Sequence, residues 1–493
     1  MVVAIFVSGC EKDKDPSESL VTGPDLMVYA INNNNELIKF NAKTPSAIIS
    51  KNAITGITSG EVLLSIDFRP ATGELYALSN ASKLYIINTS NFSSRVVNAT
   101  AFGPAFTGVV ASIDFNPTVD RIRLVTSTGQ NLRVNPETGL LAATDGVING
   151  GSSPAISGVA YTNSKSGAAS TELYVIDLTS GKVYLQNPPN NGTLVEKGSL
   201  GVTFTGQAAF DISPDNSAAL LGLKVGGTTG LYNLDLATGK AAKIGNVGTD
   251  IIDIAIPTEV VAYATDASNN LLIFNPDLAS PTIVTKGITG LQAAETIHGI
   301  DFRPLNGQLY ALGSTSRLYT INLGTGAATQ VGTGTFSTLL SGTDFGFDFN
   351  PTVDRIRVVS NLGQNLRLNP IDGTLTASDG ALNPGVPMVT AAAYTNNFAG
   401  ATTTQLFVID HNTDKLYEQI PPNNGTLVEK GSLGVDISNS NGFDIGSQTG
   451  KVYLAATAGG QNRIYSLNVT TGAVTSIGTV TTAMKGFSIG TGF

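Results

Sequence analysis

Short runs of alternating apolar and polar residues recur along this chain, and most of them end in Asn or Asp. The first three are LIKFN ending at Asn41, LYIIN ending at Asn88 and NLRVN ending at Asn135. An Asn side chain can accept a hydrogen bond from its own backbone two residues on, and Gly turns such as Thr138-Gly139 supply positive φ, so each run predicts one strand of a β-hairpin. No stretch has a helical period, and the pattern therefore predicts an all-β fold.

Further strands complete each unit. Each unit begins with an apolar run that contains Asp, such as SIDF at 65–68 and again at 112–115. A further apolar run, such as LYAL at 75–78, lies between this strand and the strand that ends in Asn. Asn41, Asn88 and Asn135 are 47 residues apart, and another short apolar strand follows most of the Gly turns. Four-stranded, Gly-rich units of about 40–50 residues are typical of β-propeller blades.

A longer repeat contains these units. The sequence DFNPTVDRIR begins at Asp114 and again at Asp348, 234 residues later, and PPNNGTLVEKGSLG begins at Pro188 and again at Pro421, 233 residues later. The chain is therefore a tandem duplication. We predict three segments: a signal remnant and tether at 1–25, a first propeller copy at 26–256 and a second copy at 257–493.

The order of strands at the ends of each copy indicates how it closes. The first copy enters at 28–31 without an inner strand, and the missing strand is supplied by 253–256, which would hold the ring together and remove its exposed edges. This predicts two five-bladed propellers. Because only 257–259 separate the copies, a single ten-bladed ring, closed by 486–490 against the N-terminal strands, is the alternative.

The repeated motifs also carry a family resemblance. IDFRP at 300–304, FDFNPTVDRIRVVS at 347–360 and AAYTNN at 392–397 resemble the bacterial family known as domain of unknown function 4394. The resemblance extends over both copies and implies members with a single copy, which supports the five-blade unit. The family brings no activity with it.

Composition and charge exclude several classes of function. The chain has 493 residues with a formal net charge of −9 and only 13% charged residues, and no basic stripe is present, so we expect no nucleic-acid partner. One Cys permits no internal disulfide and no Cys-based zinc site, and two His leave little for other metals. We predict no cofactor, although Asn- and Asp-rich turns could ligate Ca²⁺.

The N-terminus suggests a location. Residues 1–9 are apolar, Cys10 follows, and 11–15 are charged and precede Pro16, which resembles the lipobox of bacterial lipoproteins. The run is short and no Lys or Arg precedes it. We predict lipidation at Cys10 and an extracytoplasmic protein anchored to the outer membrane or cell surface; a frayed strand with an incidental Cys is the alternative.

Repeated charges mark the candidate site. Inner strands line a propeller's channel, and we predict channel-lining binding residues at equivalent positions of the two copies: Asp67, Arg69, Asp114, Asp301, Arg303 and Asp348. Such carboxylates could hold a cation or a sugar, or act as the acid and base of a glycosidase. Alternatively, each Asp caps backbone amides of the next blade and each Arg pairs with an Asp. Fold-holding residues should obey the repeat, and these do, which favours the second interpretation.

These observations predict a non-catalytic binding module for a glycan, peptide or protein, without an assigned catalytic residue. A polysaccharide-acting hydrolase or lyase that uses the inner-strand carboxylates is the competing hypothesis, and a cell-envelope spacer or adhesion module is a third. His298 and His411 lack counterparts in the first copy, where Leu64 and Leu178 stand, and we expect both to be incidental.

Overall fold

The computed structural model describes residues 20–493, so Cys10 and the predicted lipidation lie outside the described residues. Within that range the chain forms forty strands and two short 3-10 turns, at Pro189–Asn191 and Pro422–Asn424. From residue 20 onward, no helix is long and apolar enough to cross a membrane. The predicted all-β fold is confirmed.

The first half contains twenty strands. In chain order they are β1 Met27–Ile31, β2 Glu36–Asn41, β3 Ile48–Ala53, β4 Leu63–Phe68, β5 Leu75–Ser79, β6 Leu84–Ile87, β7 Ser94–Val96, β8 Ala111–Asn116, β9 Arg121–Thr126, β10 Asn131–Val134, β11 Leu141–Thr144, β12 Ile156–Tyr161, β13 Leu173–Asp177, β14 Lys182–Gln186, β15 Leu194–Ser199, β16 Thr205–Ile212, β17 Ala219–Val225, β18 Thr228–Leu234, β19 Ala241–Asn246 and β20 Asp253–Ala255.

The second half repeats the series. Its strands are β21 Ala262–Thr265, β22 Asn270–Phe274, β23 Val284–Gly287, β24 Ile297–Arg303, β25 Gln308–Gly313, β26 Arg317–Ile321, β27 Ala328–Val331, β28 Phe345–Asn350, β29 Arg355–Ser360, β30 Asn365–Leu368, β31 Leu375–Ser378, β32 Val389–Tyr394, β33 Leu406–Asp410, β34 Lys415–Gln419, β35 Leu427–Ser432, β36 Ile437–Ile445, β37 Val452–Ala458, β38 Gln461–Leu467, β39 Val474–Thr479 and β40 Lys485–Ile489.

The strands form ten four-stranded antiparallel sheets. Eight of these contain four consecutive strands, as in β4 to β7, and the other two are completed by a strand from the end of the same half. Tyr29 of β1 lies opposite Ala255 of β20, and Tyr263 of β21 lies opposite Ser488 of β40. The predicted closing strand of the first copy therefore pairs where expected. A single ten-bladed ring would instead require β20 to pair with β21.

One strand of each sheet, here called the inner strand, contacts the inner strands of the neighbouring sheets. In the first repeat, β4, β8, β12, β16 and β20 contact one another in that order, and β20 returns to β4. The second repeat has the same cycle of β24, β28, β32, β36 and β40. Inner strands are buried on both faces, whereas outer strands such as β3 alternate between half-buried and exposed residues, as expected for a sheet edge that faces solvent.

Local turn chemistry follows the sequence prediction. The side-chain oxygen of Asn41 accepts a hydrogen bond from the Lys43 amide at 2.8 Å, and Asn135 accepts one from Glu137 at 2.8 Å. The same contact, from the amide two residues on, occurs at Asn88, Asp235, Asn275, Asn369 and Asn468. The predicted turn mechanism is thus confirmed.

Close packing between sheets explains one glycine of the GSLG motif. A Cβ added at Gly198 would lie 2.0 Å from the Thr238 carbonyl oxygen of the next sheet. Neighbouring sheets also meet through edge-to-face aromatic pairs, such as Tyr76 with Phe115 at 5.1 Å between ring centroids.

The two repeats are in contact. The Tyr263 hydroxyl donates a hydrogen bond to the Ala71 carbonyl at 2.8 Å, and the Gly492 amide donates one to the Thr72 carbonyl at 2.8 Å. Ala71 also belongs to a buried apolar cluster that is otherwise built from the second repeat. Residues near 70 and 260–305 therefore form a shared interface.

Candidate functional site

Carboxylates converge on the axis of each repeat. One oxygen from each of Asp67, Asp114 and Asp211 lies within 4.8 Å of the others, and all three residues are at most 4% exposed. The second repeat has an equivalent cluster of Asp301, Asp348 and Asp444. Alternation along β4, β8 and β16 directs these side chains away from the packed sheet faces and toward the axis.

Each carboxylate joins one inner strand to the next. The Phe115 amide donates to Asp67 Oδ2 at 2.7 Å, and the Tyr161 amide donates to Asp114 Oδ1 at 3.0 Å. In the second repeat the corresponding donors to Asp301, Asp348 and Asp444 are the amides of Phe349, Tyr394 and Ile489. These bonds satisfy backbone amides that sheet pairing leaves free, so the carboxylates connect sheets that share no ladder.

Burial controls the charge of both clusters. Burial, with smaller contributions from neighbouring carboxylates, raises the pKa of Asp67 and Asp114 well above the ordinary value. Burial also raises the pKa of Asp211 to about 8 and that of Asp444 to about 7. Among the described residues, no Lys or Arg forms an ion pair with either cluster. The raised pKa values thus favour the protonated form of these carboxyl groups.

The clusters offer limited metal chemistry. Carboxylate oxygens are ligands that Ca²⁺ prefers, but it takes about six to eight of them. Three oxygens within 4.8 Å of one another supply at most half of that shell. Backbone amides surround them, and an amide N–H cannot ligate a cation.

The structure separates the predicted arginines from these carboxylates. Arg69 is fully buried and forms two hydrogen bonds to Asp120, from Nε at 2.9 Å and from Nη2 at 2.5 Å. Arg303 binds Asp354 in the same way, from Nε at 2.8 Å. Arg69 directly follows β4 and Arg303 is the last residue of β24, while Asp120 and Asp354 lie in the turns that follow β8 and β28. Asp67 and Asp114 thus meet Asp211 at the axis, while Arg69 binds another carboxylate outside the cluster.

A second buried arginine explains two repeated motifs. Arg123 is 2% exposed and donates hydrogen bonds to Asn131 at 2.8 Å, Asp145 at 2.5 Å and Asn190 at 2.7 Å. It thereby joins DRIR to the PPNN turn of the next sheet. Arg357 has equivalent partners in the second repeat. Sequence reasoning did not single out this network, although its residues obey the repeat.

Three titratable side chains lie together at one end of the inner strands of the second repeat. His298, Asp344 and Lys485 line a small cavity there, where the first repeat has Leu64, Val110 and Ile252. Burial and, secondarily, Lys485 lower the pKa of His298. The cavity measures about 10 Å³, so it accommodates one water molecule and no larger ligand.

A larger opening lies between the repeats, here called the inter-repeat cleft. It consists of two adjoining cavities of about 350 Å³ and 520 Å³ that share Asn88, Phe398 and Gln448. Copy one contributes the β6–β7 hairpin, and copy two contributes Leu305 and the loop at 398–400. The Thr89 hydroxyl donates a hydrogen bond to Gln448 Oε1 at 2.9 Å across the cleft.

One ion pair lies at the wall of the cleft. Glu74 is 4% exposed and accepts a hydrogen bond from Arg95 Nη2 at 3.1 Å, while the Thr72 hydroxyl donates to its other oxygen at 3.1 Å. The equivalent residues of the second repeat are Gln308 and Thr329. Sequence reasoning missed this pair; a comparison of the repeats for charges present in one copy only would have found it.

Comparisons with known proteins place the chain in a family without a described function. The model of the family described as Domain of unknown function (DUF4394) matches residues 36–255 and 270–489, one region in each repeat. A search of the curated proteins found no match.

Three solved structures show weak similarity. The extracellular domain of the hybrid two component system BT4673 from B. thetaiotaomicron is 11% identical with a TM-score of 0.25, and the match covers 93% of this chain and 65% of that chain. The dihydro-heme d1 dehydrogenase NirN is 11% identical with a TM-score of 0.24, and the match covers 84% of this chain and 74% of that chain. PorZ, a surface component of the type-IX secretion system of Porphyromonas gingivalis, is 14% identical with a TM-score of 0.27, and the match covers 91% of this chain and 65% of that chain. The chain thus spans 65% of the first of these chains. TM-scores this low assign neither function nor ligand.

Proposed function

Since the chain belongs to the family described as Domain of unknown function (DUF4394), which supplies no activity, we propose a function from its geometry alone. The protein is a non-catalytic binding module whose ligand occupies the inter-repeat cleft. The observation that supports this most is the cleft itself, with cavities of about 350 Å³ and 520 Å³. Binding sites occur preferentially in such clefts between domains, where apolar walls carry a few converging polar groups.

The proposal includes the architecture. Residues 26–256 and 257–493 are two five-bladed β-propellers, each closed by its own last strand. The pairing of β20 with β1 and of β40 with β21 supports this division. The closed cycle of inner-strand contacts in each repeat supports a ring.

The axial carboxylates favour binding over catalysis. An acid and base that act on polysaccharide must reach the glycosidic oxygen and the anomeric carbon. Asp67 and Asp114 are buried, each accepts a hydrogen bond from a backbone amide, and neither lines the inter-repeat cleft. A hydrolase or lyase that uses these residues is therefore the less supported function.

The location is part of the proposal. The apolar run that ends at Cys10 supports an extracytoplasmic protein anchored by lipid. We expect Cys10→Ala in the full chain, expressed in a bacterial host, to move the protein from the membrane fraction to the soluble fraction, whereas Ser8→Ala should leave it in the membrane. Unchanged membrane partition of Cys10→Ala would contradict the anchor.

Ligand binding can be tested on the same chain. A thermal-shift screen with oligosaccharides and peptides identifies ligands, and titration calorimetry then measures their affinities for Phe398→Ala and Gln448→Ala. Loss of a buried aromatic contact should weaken binding at least tenfold, which corresponds to about 1.4 kcal/mol. Lys165→Ala is the matched control, because Lys165 occupies the position of Phe398 in the first repeat. Affinities that are unchanged in both cleft variants would place the binding site elsewhere.

A further inference from the structure

Glu74 and Arg95 introduce charge into a cleft lined largely by uncharged groups. Both residues line the cavity of about 350 Å³, together with Asn88 and Gln448. Arg95 uses one nitrogen on Glu74, and the described residues supply it with no second hydrogen-bond partner. A guanidinium has five N–H donors, so several remain for a ligand, and each oxygen of Glu74 retains capacity to accept.

The fold does not need this pair. The second repeat forms the equivalent strands β25 and β27 with Gln308 and Thr329 in the same places. A buried or half-buried ion pair is also weak evidence for stability, because desolvation offsets its Coulombic attraction. Glu74 and Arg95 therefore differ from Asp67 or Arg123, which occur in both repeats and join neighbouring sheets.

The opening is restricted to one side of the interface. In the second repeat the loop at 398–400 lines the cleft. The equivalent loop of the first repeat packs against the second repeat: the hydroxyls of Ser166 and Tyr263 are 2.8 Å apart, and a Cβ added at Gly167 would lie 3.1 Å from Val284. The arrangement of charged pair, half-buried Phe398 and cavity thus occurs once.

We propose, as an extension of the proposed binding function, that this end of the cleft binds a neutral saccharide. Arg95 donates to one hydroxyl of a vicinal diol, Glu74 accepts from the adjacent hydroxyl, and Phe398 packs against the apolar face of the sugar ring. Because Glu74 already balances the charge of Arg95 and the described lining of this cavity contains no other Lys or Arg, no cationic group is left to compensate a carboxylate on the ligand. The subsite consequently selects neutral hexoses over uronates.

The test uses the full chain and calorimetric titration with two probe sets. The neutral set contains gluco- and manno-oligosaccharides of two to four residues, and the acidic set contains oligogalacturonates of the same lengths. The unmodified protein should bind at least one neutral oligosaccharide at least tenfold more tightly than any acidic one. Arg95→Gln should weaken that binding at least tenfold, and Glu74→Gln should reduce the preference for neutral ligands. Thr329→Ala and Gln308→Ala, at the equivalent positions, should have no effect.

The outcomes separate this inference from the proposed function. Tighter binding of the acidic set, or no binding of any neutral oligosaccharide at millimolar concentration, overturns the neutral-saccharide inference. Peptide binding that depends on Phe398 and Gln448 but not on Arg95 overturns it as well and leaves the proposed function standing. If Glu74→Gln does not fold, Arg95→Gln, at a half-buried position, decides the question alone.

Discussion

Replacing Asp114 with Asn should make the protein more stable at neutral pH. Asp114 accepts a single backbone hydrogen bond, from Tyr161 to Oδ1, and an Asn side chain can accept the same bond. The new amide group would donate to the neighbouring carboxyl groups of Asp67 or Asp211. The substitution therefore keeps the connection between inner strands and removes one ionisable group from a buried cluster that also faces Asp253.

The magnitude follows from proton linkage. Burial, followed by the charges of Asp67 and Asp211, raises the pKa of Asp114 well above its ordinary value of 3.8. The folded protein thus retains a proton that the unfolded chain loses, and the free energy of unfolding falls as pH rises above about 4. The fall is about 1.4 kcal/mol per pH unit for one carboxyl group. The fall continues until the pH reaches the raised folded-state pKa of Asp114.

Between pH 5 and pH 7 the parent should therefore lose up to about 3 kcal/mol through Asp114, and Asp114→Asn should not. Urea unfolding at several pH values measures this difference directly. In thermal unfolding, about 3 kcal/mol corresponds to a shift in melting temperature of roughly 6–12 °C. The melting temperature of the variant minus that of the parent should therefore be larger at pH 7 than at pH 5, by up to this amount.

A matched control has the opposite electrostatics. Burial raises the pKa of Asp145, but hydrogen bonds and charges from Arg133 and Arg123 outweigh it and lower the pKa. Its stabilisation is present above pH 3.8 and is lost as pH falls through the folded-state pKa, so Asp145→Asn should destabilise the protein by the same amount at pH 5 and pH 7. A difference between Asp114→Asn and the parent that stays constant from pH 5 to pH 7 would refute the reasoning.

Three further outcomes are expected. Arg123→Gln should destabilise the protein by about 3–5 kcal/mol in urea unfolding, because it leaves buried partners unpaired, and a loss below 1 kcal/mol would contradict the network. Gly198→Ala should lower the free energy of unfolding by about 1–3 kcal/mol, because the added Cβ has no room beside Thr238. Gly201→Ala is the comparison, since a Cβ added there meets open space although the residue has a positive φ. Residues 26–256 expressed alone should unfold in one cooperative calorimetric transition because β20 closes that repeat, and a broad non-cooperative transition would favour a single ring.

Residues that are close together in the sequence determine much of the strand layout. The runs that end at Asn41 and Asn135 form strands whose side-chain oxygens accept the predicted turn bonds. The closing role of 253–256 also follows from counting strands within the repeat. By contrast, grouping Arg69 with Asp67 rested on their nearness in sequence. At the end of the inner strand, two residues on, Arg69 instead reaches Asp120 in the turn that follows the neighbouring inner strand β8.

The sequence by itself determined the all-β class, the duplication and the strand order, because alternation, turn residues and repeat spacing act over a few residues or repeat visibly along the chain. Only the tertiary structure decided that Arg69 and Arg303 bind carboxylates outside the axial clusters and where a ligand could enter. Asp67, Asp114 and Asp211 converge because three separate sheets pack around one axis. The inter-repeat cleft joins residues that are hundreds of positions apart, such as Thr89 and Gln448, and it depends on how two repeats with the same strand order contact each other asymmetrically.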